Sequence, residues 1–289
     1  MMNSVNINKL INEALIIDAE EAEAAGALCY MARILVQATM PHSNPKTCVF
    51  ARTNGNLRLT ISGDPNIGLP YGVYPRLLLS WLVTEAVRTK KLELNLGANL
   101  SQFMSELGLL PTGGRWGNIT RLWVQMKRLF SALITCTYSD GQNWGVRNVM
   151  VIEKAEVWWE PSNPKQGSLW QSTVTLGHEF FHEIIDRPIP IDMRAINALK
   201  ASAMALDLYC WLTYRLSYLK KPTEIPWPLL QNQFGAEYQP TKQGRHKFKT
   251  KLLTQLHKIQ LIYEDAAKIE VSQAGLLLVP GNSHIKKIT

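Results

Sequence analysis

The sequence predicts an α+β protein in which one arrangement of helices and strands is used twice. A Leu-x-x-Trp-Leu segment that leads to a Lys-Lys pair occurs in both halves, and a basic amphipathic segment without acidic residues follows each copy. Alternating residues typical of a β-hairpin come after each basic segment. Repetition of a whole supersecondary unit is stronger evidence for a fold than any single segment. The two copies are Leu78-x-x-Trp81-Leu82 with Lys90-Lys91 and Leu208-x-x-Trp211-Leu212 with Lys220-Lys221.

The N-terminal segment from Asn6 to Thr39 has the apolar periodicity of helices, with Gly26 as its only Gly or Pro. We expect one or two helices there. The pattern does not decide whether their apolar residues pack on the first domain or on another subunit. A β-hairpin follows, because the alternating segments Val49–Arg52 and Leu57–Ile61 flank the turn dipeptide Asn54-Gly55.

The first copy of the repeat predicts an apolar helix (Pro75–Lys91), a short strand (Leu92–Leu96), a short helix (Ser101–Gly108) and, after a Gly-rich turn, a basic helix. The sequence between Leu107 and Ser139 contains no Asp or Glu. On a helix of 3.6 residues per turn, one face of the basic segment is apolar and the opposite face carries two arginines. The outward arginines are Arg121 and Arg128, and the residues expected to face the core are Ile119, Leu122, Trp123, Met126, Phe130 and Leu133.

The basic helix is followed by a predicted wing, a hairpin of Leu133–Ser139 and Val146–Trp159. Arg147 on this hairpin is placed to contact phosphate or a minor groove. A strand at Leu169–Leu176 and a short helix at His178–Ile185 are expected next.

A proline-marked stretch after these elements divides the chain into two domains. Pro188 and Pro190 interrupt the preceding helical pattern. We therefore expect residues 1–187 to hold the N-terminal helices and the first domain with its extended wing. Residues 188–289 are expected to form the second domain.

The second copy of the repeat predicts the same order of elements. Its basic helix again lies in a segment without acids, from Thr241 to Tyr263. The helical wheel places Phe248, Leu252, Leu256 and Ile259 inward and Lys247, Lys251, Thr254 and Lys258 outward. The expected elements are a helix at Ala201–Leu219, an extended segment at Glu224–Pro226, a helix at Pro228–Phe234, a basic helix at Gly244–Ile259, and a wing made of Ile259–Tyr263 and Ala274–Val279.

This order is typical of two tandem winged-helix domains preceded by an N-terminal helical segment. A guanidinium can fork onto guanine or onto phosphate, so an arginine-bearing helix suits a major groove. A solvated surface would explain one basic helix, but a second at the matched position favours DNA. The residues that we expect to bind DNA are Arg115, Trp116, Asn118, Arg121, Gln125, Lys127, Arg128, Arg147, Lys242, Arg245, Lys247, Lys249, Lys251 and Lys258.

The composition is that of a globular protein with a polyanionic partner. The chain of 289 residues is 46% hydrophobic and carries a formal charge of +8, with a pI near 9.3. Such a balance favours nucleic acid or an anionic membrane surface. The sequence has no apolar run of about 18 residues and no signal-peptide pattern, so we expect a cytoplasmic protein that does not bind membranes. The four cysteines are widely spaced, which argues against structural zinc and a disulfide framework.

One short motif, His178-Glu179-Phe180-Phe181-His182, matches the H-E-x-x-H pattern of zinc hydrolases. Pro188 and Pro190 end the helix before it could supply a third ligand, and so short a pattern also arises by chance. A short helix with Phe180 or Phe181 packed inward explains the motif more simply. The sequence also has no G-x-x-x-x-G-K-[ST] loop for ATP. We therefore expect a protein that is not an enzyme and has no catalytic residues, metal or cofactor, with a zinc hydrolase as the least favoured alternative.

Several ordered segments make the chain similar to the RepA-type plasmid replication initiators, tandem winged-helix proteins related more distantly to the RepE, Pi and TrfA initiators. The resemblance covers most of the chain. It is carried by Cys29-Tyr30-Met31-Ala32-Arg33 through Met40-Pro41-His42-Ser43, by Gly68-Leu69-Pro70-Tyr71-Gly72 with Pro75-Arg76-Leu77-Leu78-Leu79, by Pro111-Thr112-Gly113-Gly114-Arg115-Trp116-Gly117, by Met204-Ala205-Leu206-Asp207-Leu208-Tyr209 with Trp211-Leu212-Thr213-Tyr214-Arg215-Leu216, and by Ile225-Pro226-Trp227.

The resemblance implies binding to directly repeated sequences, called iterons, in the double-stranded DNA of a plasmid origin. It further implies opening of a neighbouring A·T-rich segment, recruitment of the host initiator and replicative helicase, and repression of the protein's own promoter by a dimer. The positions that match the family's reading helices are Arg115–Arg128 and Arg245–Lys258, and the N-terminal helices match the region where related initiators dimerise. A winged-helix transcriptional repressor without origin function is the main alternative.

Overall fold

The computed structural model describes residues 4–168, 170–235 and 237–285. Helices and strands are mixed along the chain, which confirms the α+β class. The helices are α1 (Ser4–Ala19), α2 (Arg33–Gln37), α3 (Tyr74–Thr89), α4 (Leu100–Glu106), α5 (Asn118–Phe130), α6 (His178–Asp186), α7 (Met193–Leu199), α8 (Ala203–Leu216), α9 (Trp227–Phe234) and α10 (Lys242–Ile262), with a 3-10 turn at Glu264–Lys268. The strands are β1 (Leu28–Ala32), β2 (Val49–Asn54), β3 (Leu57–Ser62), β4 (Glu93–Asn95), β5 (Leu133–Ser139), β6 (Trp144–Met150), β7 (Ile152–Glu156), β8 (Thr173–Leu176), β9 (Pro188–Asp192), β10 (Thr223–Pro226), β11 (Glu270–Val271) and β12 (Gly275–Leu278).

The chain folds into two compact units, and the N-terminal segment does not belong to the unit that we expected. Residues 40–188 form one, the central unit, whereas the described residues up to Thr39 join those from Ile189 onward in the other, the terminal unit. The expected division into residues 1–187 and 188–289 is therefore corrected. Helix α1 packs on α7 and α10, and β1 pairs with β9, so part of the apolar surface of the N-terminal segment is covered by the second half of the chain. Ile11, Leu15 and Ile16 of α1 remain exposed.

The central unit is built on α3, which packs against α5 and α6. Pro75 at the start of α3 fits a first helical turn, where its missing N–H costs nothing. The helix ends at Lys90, which adopts the left-handed conformation with φ 57°. The predicted β2–β3 hairpin is confirmed, with Asn54 paired to Leu57 around the turn.

Two antiparallel sheets complete the central unit, and they correct the predicted wing. The expected strand Val146–Trp159 is divided at the buried residue Val151 into β6 and β7, which enter different sheets. Strand β6 pairs with β5, and β5 pairs with β3, which gives the order β2-β3-β5-β6. Strand β7 pairs instead with β8, in the order β4-β8-β7. Of the strand expected at Leu169–Leu176, only Thr173–Leu176 is extended, and Leu169 itself lies outside the described residues.

The terminal unit places α8 against α9 and α10 beside a three-stranded sheet of order β10-β12-β11. The hairpin of this sheet differs from the predicted wing, because Ile259–Ile262 are helical. The buried residues Leu256, Ile259 and Ile262 continue the inward stripe of α10, so burial favours helix up to Ile262. The hairpin is formed by β11 and β12.

The two units share an order of elements. The order α3, β4, α4, α5 and the hairpin β7–β8 in the central unit corresponds to α8, β10, α9, α10 and the hairpin β11–β12 in the terminal unit, and the sheet orders β4-β8-β7 and β10-β12-β11 correspond too. The repeated Leu-x-x-Trp-Leu segment supplies equivalent core residues. Its leucines are fully buried in both units. Trp81 of α3 meets Phe103 of α4 edge-on with ring centroids 5.0 Å apart, and Trp211 of α8 meets Phe234 of α9 edge-on at 5.4 Å.

None of the described helices combines the length and the apolar character that are needed to cross a membrane.

Candidate DNA-binding surface

Helix α5 of the central unit buries one face and exposes positive charge on the other. Ile119, Leu122 and Met126 are buried as predicted, whereas Trp123 and Phe130 are only half-buried. Leu133, expected in the core, lies on β5 and is 39% exposed. Basic residues in the last turn complement the negative end of the helix dipole. The exposed members of the outer face are Thr120, Arg121, Val124 and Lys127.

Gln125 and Arg128, which the sequence predicts to face DNA, instead contact the loop that precedes α3. Gln125 is 4% exposed, and its Oε1 accepts a hydrogen bond of 2.9 Å from the backbone N–H of Tyr71. The half-buried Arg128 guanidinium lies 5.1 Å from the Tyr71 ring centroid, and its Nη1 donates to the carbonyl oxygen of Leu69 at 3.4 Å. Their side chains are therefore part of the packing of the unit, and the expectation that they point outward is corrected.

Asn118 at the start of α5 is also used within the unit. The hydroxyl of Tyr74 donates to its Oδ1 at 2.8 Å, and its Nδ2 donates to the carbonyl oxygen of Leu110 at 2.9 Å. The residue fixes the loop before α5 to helix α3.

Arg115 and Trp116, in the loop between α4 and α5, are exposed as predicted. The Arg115 guanidinium carbon lies 5.2 Å from the Trp116 ring centroid, a cation–π arrangement. The Trp116 side chain is 72% exposed. Lys127 is exposed too, with its Nζ 5.4 Å from the Trp123 ring centroid.

Arg147 lies on β6 and is paired with acids of α6. Its Nη1 lies 3.3 Å from Glu183 Oε2, and its Nε lies 3.7 Å from Glu179 Oε2. Strand β6 belongs to the four-stranded sheet β2-β3-β5-β6, whereas the hairpin that corresponds between the two units is β7–β8. Arg147 thus lies on the β5–β6 hairpin, as the sequence predicted, and its guanidinium is paired with acids of its own unit.

Helix α10 of the terminal unit presents a longer positive face. Thr241 caps its start by accepting a hydrogen bond of 3.1 Å from the N–H of Gly244. The buried stripe begins at Phe248 and follows the prediction. Thr254, expected outward, is half-buried. The exposed basic residues are Lys242, Arg245, Lys247 and Lys251.

Two lysines of α10 are partly covered. Lys249 Nζ lies 4.3 Å from the ring centroid of Trp227, which leads into α9. Lys258 Nζ donates to Gln255 Oε1 at 3.2 Å. Burial, and to a lesser degree the charge of Lys251, lower the pKa of Lys258, because a buried ammonium loses hydration. Both side chains are half-buried, whereas Lys242, Lys247 and Lys251 are exposed.

Further exposed polar residues lie on this surface but are absent from the predicted DNA-binding set. His246, Thr250 and His257 are exposed on α10 between the lysines. Their positions on the helical wheel could have identified them, because they fall on the same half of the helix as Lys247 and Lys251. They give the surface hydrogen-bonding groups besides its charge.

The H-E-x-x-H motif lies on α6. His178, Glu179 and His182 are exposed, and Phe180 is fully buried. Nowhere in residues 4–168, 170–235 and 237–285 do three or more His, Cys, Asp or Glu side chains cluster so as to hold a metal ion. Glu179 contacts Arg147 instead.

Comparison with known proteins identifies a family for this chain and solved structures with a similar fold. The family model for plasmid encoded RepA protein matches residues 69–226. The crystal structure of SeMet derivatives of domains 2 and 3 of RctB is similar with a TM-score of 0.53 and 12% sequence identity, over 78% of this chain and 83% of that one. Another crystal structure of RctB domains 2-3 has a TM-score of 0.48 and 14% identity, over 78% of this chain and 82% of that one. Identities this low relate the folds alone. The search of curated proteins found no match.

Proposed function

Because the chain belongs to the RepA family of plasmid replication initiators, we propose that it binds directly repeated sites in double-stranded origin DNA through the outer faces of α5 and α10. The observation that carries this proposal is the matched position of the two helices. Helix α5 follows α3 and α4 in the central unit, and α10 follows α8 and α9 in the terminal unit. Both α5 and α10 lie in a segment free of acids and expose lysine or arginine.

We infer that each unit is a winged helix, with α4–α5 and α9–α10 as helix-turn-helix pairs and the hairpins β7–β8 and β11–β12 as wings. In such units the second helix enters the major groove, and the wing and backbone amides contact neighbouring phosphates. The order of elements and the sheet orders β4-β8-β7 and β10-β12-β11 support this assignment.

The chemistry of the surface suits binding and not bond cleavage. Exposed lysines on α10 form ion pairs with phosphates, which displaces condensed cations from the duplex and makes affinity depend on salt. Arg121 on α5 has the geometry to fork onto a guanine edge. We propose that this binding leads to opening of an A·T-rich segment and to recruitment of the host initiator and helicase. We further propose that a dimer of the protein represses its own promoter.

The test combines footprinting with plasmid maintenance. The full chain is incubated with DNA from the region around its own gene, and protected positions are mapped. We expect protection of directly repeated sequences beside an A·T-rich tract. A plasmid that carries this region should be maintained when the protein is supplied and lost when the variant with Lys247→Ala and Lys251→Ala replaces it.

The matched control is the variant with Lys220→Ala and Lys221→Ala, which removes the same charge from exposed residues outside α10. It should protect the repeats and maintain the plasmid as the unmodified protein does. Protection of a promoter alone, without any effect of the protein on plasmid maintenance, would contradict the initiator function and favour a repressor. Absence of protection anywhere would contradict DNA binding itself.

A further inference from the structure

The loop between α4 and α5 exposes two large apolar side chains. Leu110 is 77% exposed and Trp116 is 72% exposed, the largest exposed fractions among the large apolar side chains of the described residues. Tryptophan is enriched at binding interfaces, because its side chain combines a large apolar ring with a polar N–H group.

The same loop is held firmly by hydrogen bonds. Thr112 accepts two of them, from the N–H of Asn118 to its Oγ1 at 2.9 Å and from the N–H of Ile119 to its carbonyl oxygen at 3.2 Å. The hydroxyl of Thr120 donates to the carbonyl oxygen of Gly114 at 2.9 Å. A Cβ atom on Gly117 would lie 2.2 Å from the Thr112 carbonyl oxygen, so a glycine is required for this close approach. The backbone on either side of Trp116 is thus fixed while its ring faces solvent.

The corresponding loop of the terminal unit shows that the shared order of elements does not require an exposed ring. There the aromatic residue is Tyr238, which is half-buried and meets the ring of Phe248 with centroids 5.7 Å apart. That loop also carries an acid, Glu237, whereas no acid lies between Leu107 and Ser139. The exposed, acid-free loop is therefore a particular property of the central unit.

We propose that Trp116 recognises thymine by packing its indole ring against the 5-methyl group in the major groove. The inference rests on the proposed function, because it places the start of α5 at the groove. Residues at the start of a recognition helix contact base edges, and the thymine methyl is the apolar group that the major groove presents. The Arg115 guanidinium beside the ring brings positive charge to the same place and draws the loop toward phosphate or a guanine edge.

The experiment removes the methyl group from the DNA and the ring from the protein. A high-affinity duplex is selected from a random-sequence pool with the full chain, and each thymidine is then replaced singly by deoxyuridine, which lacks only the 5-methyl group. We expect one or two replacements to weaken binding by about fourfold, the factor for exposing a single buried methyl-sized group. Trp116→Ala should bind the unmodified duplex several-fold more weakly and should be insensitive to those same replacements.

Two further variants complete the test. Trp144→Ala removes an indole that is 71% exposed at the β5–β6 hairpin, and it should retain the sensitivity to deoxyuridine of the unmodified protein. Trp116→Phe keeps an apolar ring and should retain part of that sensitivity. If Trp116→Ala responds to deoxyuridine as the unmodified protein does, the inference is overturned while the proposed function stands. If the protein enriches no duplex at all, the proposed function fails and the inference with it.

Discussion

Helices α5 and α10 occupy equivalent places in the two units, yet they divide their polar side chains differently. On α5, Gln125 and Arg128 turn toward residues 69–71, which leaves Arg121 and Lys127 as exposed cations. Helix α10 is longer and keeps most of its cations outward. We propose that the two helices differ in role, with α10 supplying most of the attraction to phosphate and the α5 region most of the discrimination between bases.

The largest effect is expected from α10. Replacing Lys247 and Lys251 by alanine removes two exposed charges, and we expect affinity for origin DNA to fall roughly 10- to 100-fold at moderate salt. The slope of log K against log salt should become shallower by about two units, one for each phosphate contact that is lost. A salt titration by fluorescence anisotropy measures both quantities. An unchanged slope would show that the outer face of α10 does not meet DNA.

Replacing Gln125 on α5 should lower the stability of the folded protein without lowering its affinity for DNA. Gln125→Ala removes the acceptor for the Tyr71 N–H, and we expect a loss of about 1–3 kcal/mol of unfolding free energy, because a buried donor is left unsatisfied. The affinity of the folded protein for DNA should change little. Urea denaturation and anisotropy measure the two effects, with the exposed Gln142→Ala as control. Weaker DNA binding at unchanged stability would mean that Gln125 turns outward when DNA binds.

The variant Arg121→Ala tests whether α5 discriminates between bases. If α5 discriminates between bases, the loss should be about tenfold on the selected site and much smaller on unrelated DNA, since one arginine fork on guanine is worth roughly 1–3 kcal/mol. Competition binding with both duplexes gives the ratio. An equal loss on both DNAs would assign Arg121 to phosphate and would remove the proposed difference between α5 and α10.

The smallest effect is expected at Arg147. Glu179→Gln removes one of the two acids near its guanidinium and should raise DNA affinity by less than about threefold, because exposed ion pairs are weak and screened by salt. Asp18→Asn on α1 changes the charge equally at an exposed position outside the proposed wings and serves as the control. Equal gains in both variants would indicate a general effect of net charge, with no special role for Arg147.

The sequence predicted those features that depend on local periodicity. The inward stripe of α10 from Phe248 to Ile259 and the outward positions of Arg121 and Lys251 follow from the 3.6-residue repeat, and the β2–β3 hairpin follows from Asn54-Gly55. Periodicity cannot reveal that the segment at Leu69 and Tyr71 packs over one side of α5. For this reason the helical wheel alone does not predict that Gln125 and Arg128 contact this segment.

The sequence pattern also did not predict which strands pair over long distances along the chain. An alternating segment states that a strand forms but not which partner it takes, so β6 and β7 were read as one strand of a wing although they enter two sheets. The N-terminal segment posed the same difficulty, because the apolar face of α1 fits any apolar surface. The repeat at Trp81 and Trp211 was informative because it reflects the same tryptophan–phenylalanine contact in both units.

The pairing of β1 with β9 has a consequence for synthesis of the protein on the ribosome. The buried Cys29 thiol and its acceptor, the carbonyl oxygen of Ile191, are separated by 162 positions, and the whole central unit is translated between them. The N-terminal strand must therefore wait, unpaired, while the central unit is made. A nascent chain that stops before α10 can contain a complete central unit but never a complete terminal unit. Only a chain translated through α10 can then carry both basic helices to the plasmid.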